Sequence, residues 1–355
     1  MQDTITQLGK LLESTDTNIL IQATEICKSQ TAVEGQIHYF IPLIKHFLKL
    51  TSSTDPTVAE NVLISLINMT HVHLNAVQDI VKENGVSRLL DSVIGPDVDN
   101  CNYRLMLLTN LTGLNEGCKQ LLDLEDETIK GQRLLRLAVR FTLPLDSNEL
   151  PQATFRKGVP MVQDQDPYEY ASMVLMNATQ IPEGRAIFYE NPKFFMPALL
   201  SAMSSQNNIR KQGIIGVVRN LCFDQSKHDY LLHTVNILPY VVKPLVPKTI
   251  TNNYTAAEML KNSFPEVNFG DPEPVILNRR NLLETLMLLV QSEVGKKELV
   301  HRNVIFAMRE FDEFETDEEN KNSGLRLGAI LIGPPPENEE NSIPSPSTQG
   351  TLDPD

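Results

Sequence analysis

The chain has 355 residues, of which 41% are hydrophobic and 21% charged, and its formal net charge is −14. This composition can bury a core and excludes a chain that is disordered throughout. We expect no membrane-spanning segment, no secretory signal and no broad nucleic-acid-binding face, because long apolar runs, a basic apolar start and clustered Lys and Arg are all missing.

One phrase recurs along the chain: an apolar, helix-like run that ends in asparagine, a small or apolar residue, and often threonine. Its markers are Asn68, Asn110, Asn177 and Asn220, and a fifth copy has Leu289 at this position. The markers lie 42, 67, 43 and 69 residues apart. Two of these spacings are a single period, and that period is the length of an armadillo or HEAT repeat.

The two longer spacings exceed one period by 25 and 27 residues, and polar, proline-bearing segments of these lengths lie inside them at 144–168 and 247–273. We therefore predict an all-α fold, an armadillo/HEAT-like right-handed α-solenoid of about five to six repeats with two loop insertions at those positions. The solenoid is expected to span 1–311, with a less regular N-terminal cap at 1–50.

Local signals agree with repeated helices. Each phrase is preceded by a residue that suits a helix N-cap. These residues are Asp55, Asn100, Asp166, Asn207 or Asn208, and Asn278. Glycines follow the phrases in the turn before the next helix, where we expect a positive φ. These glycines are Gly117, Gly184 and Gly295.

The end of the chain differs in kind. From Asp312 onward there are eleven acidic and two basic residues, a net charge of −9. We predict an acidic segment and a last short helix within 312–332, the helix covering 325–332, and a disordered acidic, Pro- and Ser-rich tail at 333–355. The carboxylates of Asp312, Glu313 and Glu315 are expected to be solvated.

Nothing in the sequence indicates catalysis. No phosphate loop, nucleophile elbow or His-Glu-x-x-His motif is present, and the seven histidines are interpreted as surface or hydrogen-bonded residues. The four cysteines form no Cys-x-x-Cys pair and are interpreted as reduced core residues. We expect no catalytic residue, metal ligand or cofactor.

The four marker asparagines, one per repeat, would form a ladder along one face of the solenoid. In peptide-binding armadillo proteins such a ladder holds backbone amides of a peptide. The alternative is that each asparagine bonds a neighbouring helix end or turn. The chain has no tryptophan, so the Trp/Asn groove of nuclear import adaptors is missing. The Asn-x-Thr pattern also matches a glycan acceptor, but we interpret it as part of the repeat.

A small basic cluster lies beside the fourth phrase, and its members either recognise carboxylates of a partner or pair with acidic neighbours. Together with the ladder it gives the candidate partner-binding set. That set is Asn68, Asn110, Asn177, Arg210, Lys211, Arg219 and Asn220.

The second half of the chain resembles the brain protein 16 family. The segment 209–224, which reads IRKQGIIGVVRNLCFD, resembles a family signature, as do HDYLL at 228–232 and NILPYVVKPL at 236–245. The closing elements LETLMLL, GKKEL and MRE are also similar. The detailed resemblance covers about 209–332. The insertion 247–273 departs from it, because much of the family's acidic run is missing there.

This resemblance implies a non-enzymatic, armadillo-like chaperone adaptor in the cytoplasm, with presence in the nucleus as an addition. Its implied partners are translation elongation factor 2, as a partly folded client, and the chaperonin TRiC/CCT, with other chaperones as further candidates. It implies no nucleic-acid or membrane partner. The alternative function is a static armadillo scaffold or transport adaptor that binds linear peptides in the concave groove.

Overall fold

A computed structural model describes residues 2–95, 99–126, 128–142, 166–190, 192–247 and 254–333. Every regular element in these ranges is a helix, and none is a β-strand. The prediction of an all-α fold is confirmed. Most of the first expected insertion, at 144–165, and the tail at 334–355 lie outside the described residues.

The described residues form nineteen α-helices, numbered in chain order. They are α1 (Gln2–Leu11), α2 (Thr17–Thr31), α3 (Ile44–Leu50), α4 (Pro56–Val72), α5 (Leu74–Lys82), α6 (Gly85–Ile94), α7 (Cys101–Thr112), α8 (Asn115–Leu122), α9 (Gln132–Thr142), α10 (Ala171–Ala178), α11 (Pro182–Glu190), α12 (Pro192–Ala202), α13 (Asn208–Leu221), α14 (Leu238–Val242), α15 (Tyr254–Ser263), α16 (Ile276–Leu289), α17 (Glu293–His301), α18 (Val304–Phe314) and α19 (Glu318–Ile332). A 3-10 helix at Glu34–Leu43 connects α2 to α3.

The helices that carry the repeated phrase, α4, α7, α10, α13 and α16, stack side by side in one row, and α2 and α19 lie at its two ends. Each member of the series α2, α4, α7, α10, α13, α16 and α19 contacts the next. The helices inside the row are buried most, and α4 buries nine of its 17 residues. The shorter helices pack behind the row, so that one continuous core runs from Ile5 to Leu331. Such stacking is how repeat proteins bury their apolar surface.

Of the expected N-cap residues, Asp55 and Asn207 cap a helix, whereas Asn100 precedes α7 without a side-chain bond to it and Asp166 lies five residues before α10. The Asp55 carboxylate accepts hydrogen bonds from two backbone N–H groups at 2.9 and 3.1 Å, and Asn207 caps α13 in the same way. The expectation that Asn278 starts a helix is wrong, because α16 begins at Ile276 and Asn278 lies inside it. The buried Asn278 side chain instead donates 3.0 Å to the Glu273 carboxylate.

The turn glycines have a different cause from the one expected. Gly117, Gly184 and Gly295 lie in α8, α11 and α17, and none has a positive φ. A Cβ on Gly184 would lie 1.9 Å from the carbonyl oxygen of Ala178 at the end of the preceding phrase helix. Glycine is therefore required by close approach of two helices, and the expectation of a positive φ is wrong.

Two segments near the C-terminal end contain more helix than expected. The segment 247–273 includes α15, which contacts α18, and Leu260 and Phe264 are fully buried there. The last helix is longer than the predicted 325–332, because the Asp317 carboxylate caps α19 at its start by accepting from the backbone N–H of Asn320 at 3.0 Å.

Candidate binding surface

Each marker asparagine binds a threonine at the end of the preceding helix of the row. The Nδ2 atom of Asn110 lies 2.9 Å from Thr70 Oγ1, and that of Asn177 lies 3.0 Å from Thr112 Oγ1. The other two pairs are Asn220 with Thr179 at 3.1 Å and Asn68 with Thr31 at 3.4 Å. The Asn-x-Thr pattern therefore places a donor and an acceptor in register across the stack.

The threonine hydroxyls fix the orientation of the asparagine amides. Thr70 Oγ1 donates to the Leu66 carbonyl of its own helix at 2.8 Å, and Thr112 Oγ1 donates to the Leu108 carbonyl at 2.8 Å. Because the hydroxyl hydrogen is used there, the threonine oxygen can only accept. The asparagine must therefore direct its Nδ2 towards threonine. The amide nitrogens thus serve the intramolecular role considered above, and partner binding by these residues stays a prediction.

Burial divides the ladder into two parts. Asn177 is 6% exposed and Asn220 is fully buried, and each donates a second bond to a backbone carbonyl at 2.9 Å. Asn68 and Asn110 are only partly buried and line a cavity of about 420 Å³. Only the first part of the ladder therefore combines partly exposed asparagines with a cavity.

This cavity has an apolar floor and a polar rim. Ile67, Met106 and Tyr170 contribute apolar surface, and Glu34 stands exposed at its edge. The sequence analysis missed these residues. The sequence did contain a signal for Met106. This residue lies four residues before the marker Asn110, and Met173 lies four residues before the marker of the next repeat.

The three basic candidates are paired inside the chain. Arg210 forms an ion pair with Asp166, and its guanidinium also lies 4.2 Å from the centre of the Phe141 ring. Lys211 Nζ lies 2.8 Å from the Glu273 carboxylate. Their side chains are both 14% exposed. Both residues therefore stabilise the solenoid, whatever else they contact.

Arg219 is the most accessible of the three, with 25% of its side chain exposed. It lies on α13 and donates to Asn281 at 2.8 Å and to Glu284 at 3.0 Å, both on α16. It also donates to the side-chain Oδ1 atom of its neighbour Asn220 at 3.1 Å. This arginine joins two phrase helices, and its expected contact with a partner stays a prediction.

One carboxylate expected in solvent lies in the core. Glu315 is 3% exposed and accepts two bonds from Arg279 at 2.6 and 2.7 Å. Burial acts to raise the pKa of this carboxyl, but hydrogen bonds from Arg279, from the backbone N–H of Asp317 and from Asn320 outweigh it and lower the pKa to about 2. The expectation of a solvated Glu315 is wrong, because it anchors α16 to the start of α19.

The described residues offer little that resembles a catalytic or metal site. No group of three or more His, Cys, Asp and Glu side chains among them is placed to hold a metal ion. The fully buried His228 has Nε2 2.8 Å from the Cys222 carbonyl and Nδ1 2.7 Å from the Ser292 hydroxyl. None of the helices in the described part of the chain is long and apolar enough to cross a membrane.

The chain is similar to one family model and to a group of named proteins from several eukaryotes. Residues 92–263 match the family model "Domain of unknown function (DUF383)". The chain is 25% identical over 309 residues to the Protein HGH1 homolog of Dictyostelium discoideum, covering 86% of this chain and 81% of the relative. It is 28% identical over 299 residues to that of Danio rerio, covering 83% and 74%. Similarity to relatives therefore also extends upstream of 209–332.

Solved structures show the same fold. A computationally designed armadillo repeat protein for modular peptide recognition matches with a TM-score of 0.55 and 12% identity, over 79% of this chain and 98% of that one. A designed armadillo repeat protein in complex with the peptide (KR)4 matches with a TM-score of 0.56 and 10% identity, over 81% and 99%. The chain is thus an α-solenoid of armadillo type that contains a DUF383-like region and is similar over most of its length to the HGH1 homologues.

Proposed function

We propose that this protein is a non-enzymatic chaperone adaptor. It holds a partly folded client, translation elongation factor 2, and promotes its folding with the chaperonin TRiC in the cytoplasm. Two features support this proposal: the resemblance of 209–332 to the brain protein 16 family, and the similarity of the chain to the HGH1 homologues. The helical repeat scaffold suits a protein that acts by binding.

The strongest structural support for the proposal comes from the apolar side chains on the row of helices that carries the repeated phrase. Between α4 and α10 its partly buried apolar positions include Ile67, Met106, Met173, Met176 and Tyr170. Methionine is unbranched and polarizable, so it adapts to apolar surfaces of differing shape. A surface of this kind suits a client whose apolar side chains are not yet in fixed positions.

A second partner needs a second surface, and α19 offers one. Leu325 and Ile332 are 54% and 69% exposed and lie seven residues apart, on one face of the last helix. Exposed apolar patches mark protein interaction sites more often than chance. We assign this face of α19 to the chaperonin or another chaperone.

The test is affinity purification of the tagged full chain from a eukaryotic lysate, followed by mass spectrometry. Recovery of elongation factor 2 and chaperonin subunits is expected. Met106→Glu should reduce recovery of elongation factor 2, and Leu325→Ser with Ile332→Ser should reduce recovery of chaperonin while the client is retained. Recovery of neither partner at low salt would refute the proposal.

The alternative, a static scaffold for linear peptides, is favoured by one observation. The cavity beside Asn68 and Asn110 lies on the row of helices that carries the repeated phrase. The two functions differ in what they select. A scaffold binds a folded protein and its unfolded form equally if the linear motif is accessible in both, whereas a chaperone adaptor prefers the partly unfolded form.

A further inference from the structure

The cavity at the start of the asparagine ladder has a specific hydrogen-bonding character. It lies between the end of α2, the 3-10 helix at Glu34–Leu43, α4 and α7. Its volume of about 420 Å³ lies in the range of sites that bind small molecules or single side chains. The apolar part, with Ile67, Met106 and Tyr170, accepts an aliphatic or aromatic side chain.

Asn68 and Asn110 each use one amide N–H for a threonine, so each keeps its Oδ1 acceptor and a second N–H for a ligand. Thr31 Oγ1 donates to the Cys27 carbonyl at 2.9 Å, so it accepts from Asn68 Nδ2 as Thr70 accepts from Asn110 Nδ2. No described residue donates to the Oδ1 atom of Asn68 or of Asn110. A ligand that satisfies these two oxygens must therefore supply hydrogen-bond donors, and the backbone N–H groups of an extended segment are of this kind.

The charged side chain that lines the cavity favours a positively charged group on the ligand. Glu34 is the only residue with a formal negative charge among those that line it, no Lys or Arg lines it, and His71 is the one other titratable His, Asp or Glu there. Glu34 forms no ion pair with any described residue. By contrast, the basic candidates on α13 all have acidic partners within the chain. The cavity thus combines apolar side chains with one exposed carboxylate that forms no ion pair in the described chain.

We propose that this cavity binds an extended protein segment that places an apolar side chain on Ile67 and Met106 and a lysine or arginine beside Glu34. The backbone N–H groups of the segment donate to the carbonyl oxygens of Asn68 and Asn110. The inference deepens the proposed function, since it takes the segment to belong to the client. It also sets a chemical preference: acidic segments are repelled, and polar basic segments lack the apolar anchor.

The test uses the full chain and three fluorescein-labelled decapeptides, in which Leu alternates with Lys, Leu with Glu, or Ser with Lys. Binding is measured by fluorescence anisotropy in 50 mM and 300 mM NaCl. The Leu-Lys peptide should bind most tightly and should weaken in the higher salt, because exposed charges are screened. Equal binding of the Leu-Lys and Leu-Glu peptides would overturn the proposal.

A charge reversal locates the site. Glu34→Lys should weaken binding of the Leu-Lys peptide by about fivefold or more and strengthen that of the Leu-Glu peptide. The matched control is Glu293→Lys, a reversal at an exposed position of α17, which should change neither. If the two variants behave alike, binding is a general charge effect and the proposed site is wrong.

The apolar half is tested by Met106→Glu, which places a charge on the cavity floor and should abolish binding of the Leu-Lys peptide. Far-UV circular dichroism and the thermal midpoint show whether this variant folds, and Met106→Leu, which keeps the apolar volume, should still bind. Loss in both variants, or in neither, contradicts the model. If the peptides behave as expected but the lysate yields no elongation factor 2, the proposed client is wrong and the site stands.

Discussion

Replacing Asn177 by alanine tests whether the asparagine ladder is structural. Asn177 is 6% exposed and donates to the Thr109 carbonyl at 2.9 Å and to Thr112 Oγ1 at 3.0 Å. Each bond contributes about 1 kcal/mol, and the removed amide leaves a small cavity beside unsatisfied acceptors. We expect Asn177→Ala to lower the free energy of unfolding by about 2–4 kcal/mol.

The matched control is Asn68→Ala. Asn68 is partly exposed and makes one bond of 3.4 Å, so its loss should cost below about 1 kcal/mol. The pair across the stack is measured by a double-mutant cycle of Asn177→Ala and Thr112→Val. A coupling energy of about 1 kcal/mol is expected, because the second bond of Asn177 goes to a backbone carbonyl that neither change removes.

The assay is urea unfolding followed by far-UV circular dichroism, with hydrogen exchange of α7 and α10 as a local probe. The local probe is needed because stacked repeats do not always unfold as one unit. If Asn177→Ala costs no more than Asn68→Ala, or if the cycle gives no coupling energy, the ladder does not hold the stack together.

Three further predictions concern other residues. Glu315→Gln should cost about 3 kcal/mol at pH 7 in denaturant unfolding. The cost should shrink as pH falls from 4.5 towards 2, because a carboxylate with its pKa lowered to about 2 contributes stability above pH 4.5 and loses it through that window. Arg210→Ala should cost about 2–4 kcal/mol and Arg219→Ala below about 1 kcal/mol in the same assay, since the Arg219 pair is more exposed. The four cysteines should react with an aromatic disulfide reagent at pH 8 only after unfolding, because all are buried, and burial raises the pKa of Cys27 to about 12.

The spacing of the phrases was enough to predict the fold, because a constant period with apolar helices can bury its surface only by stacking. The side chains at the surface were harder to predict. Periodicity places Met106 and Asn110 on one helix, but their exposure depends on how that helix is rotated against its neighbours. Glu315 was misjudged because composition alone assigns an acidic stretch to solvent, whereas its partner Arg279 lies 36 residues away in sequence.

The ladder of asparagine–threonine pairs ends between α13 and α16. The threonine position there is Cys222 and the asparagine position is Leu289, so both members of the pair are replaced together, and both residues are fully buried. Arg219 instead joins the two helices and donates to the side-chain Oδ1 atom of Asn220. The last acceptor of the ladder is therefore occupied by the chain itself. Since no described residue donates to the oxygens of Asn68 and Asn110, we expect any recognition of a partner by the ladder to involve the first repeats.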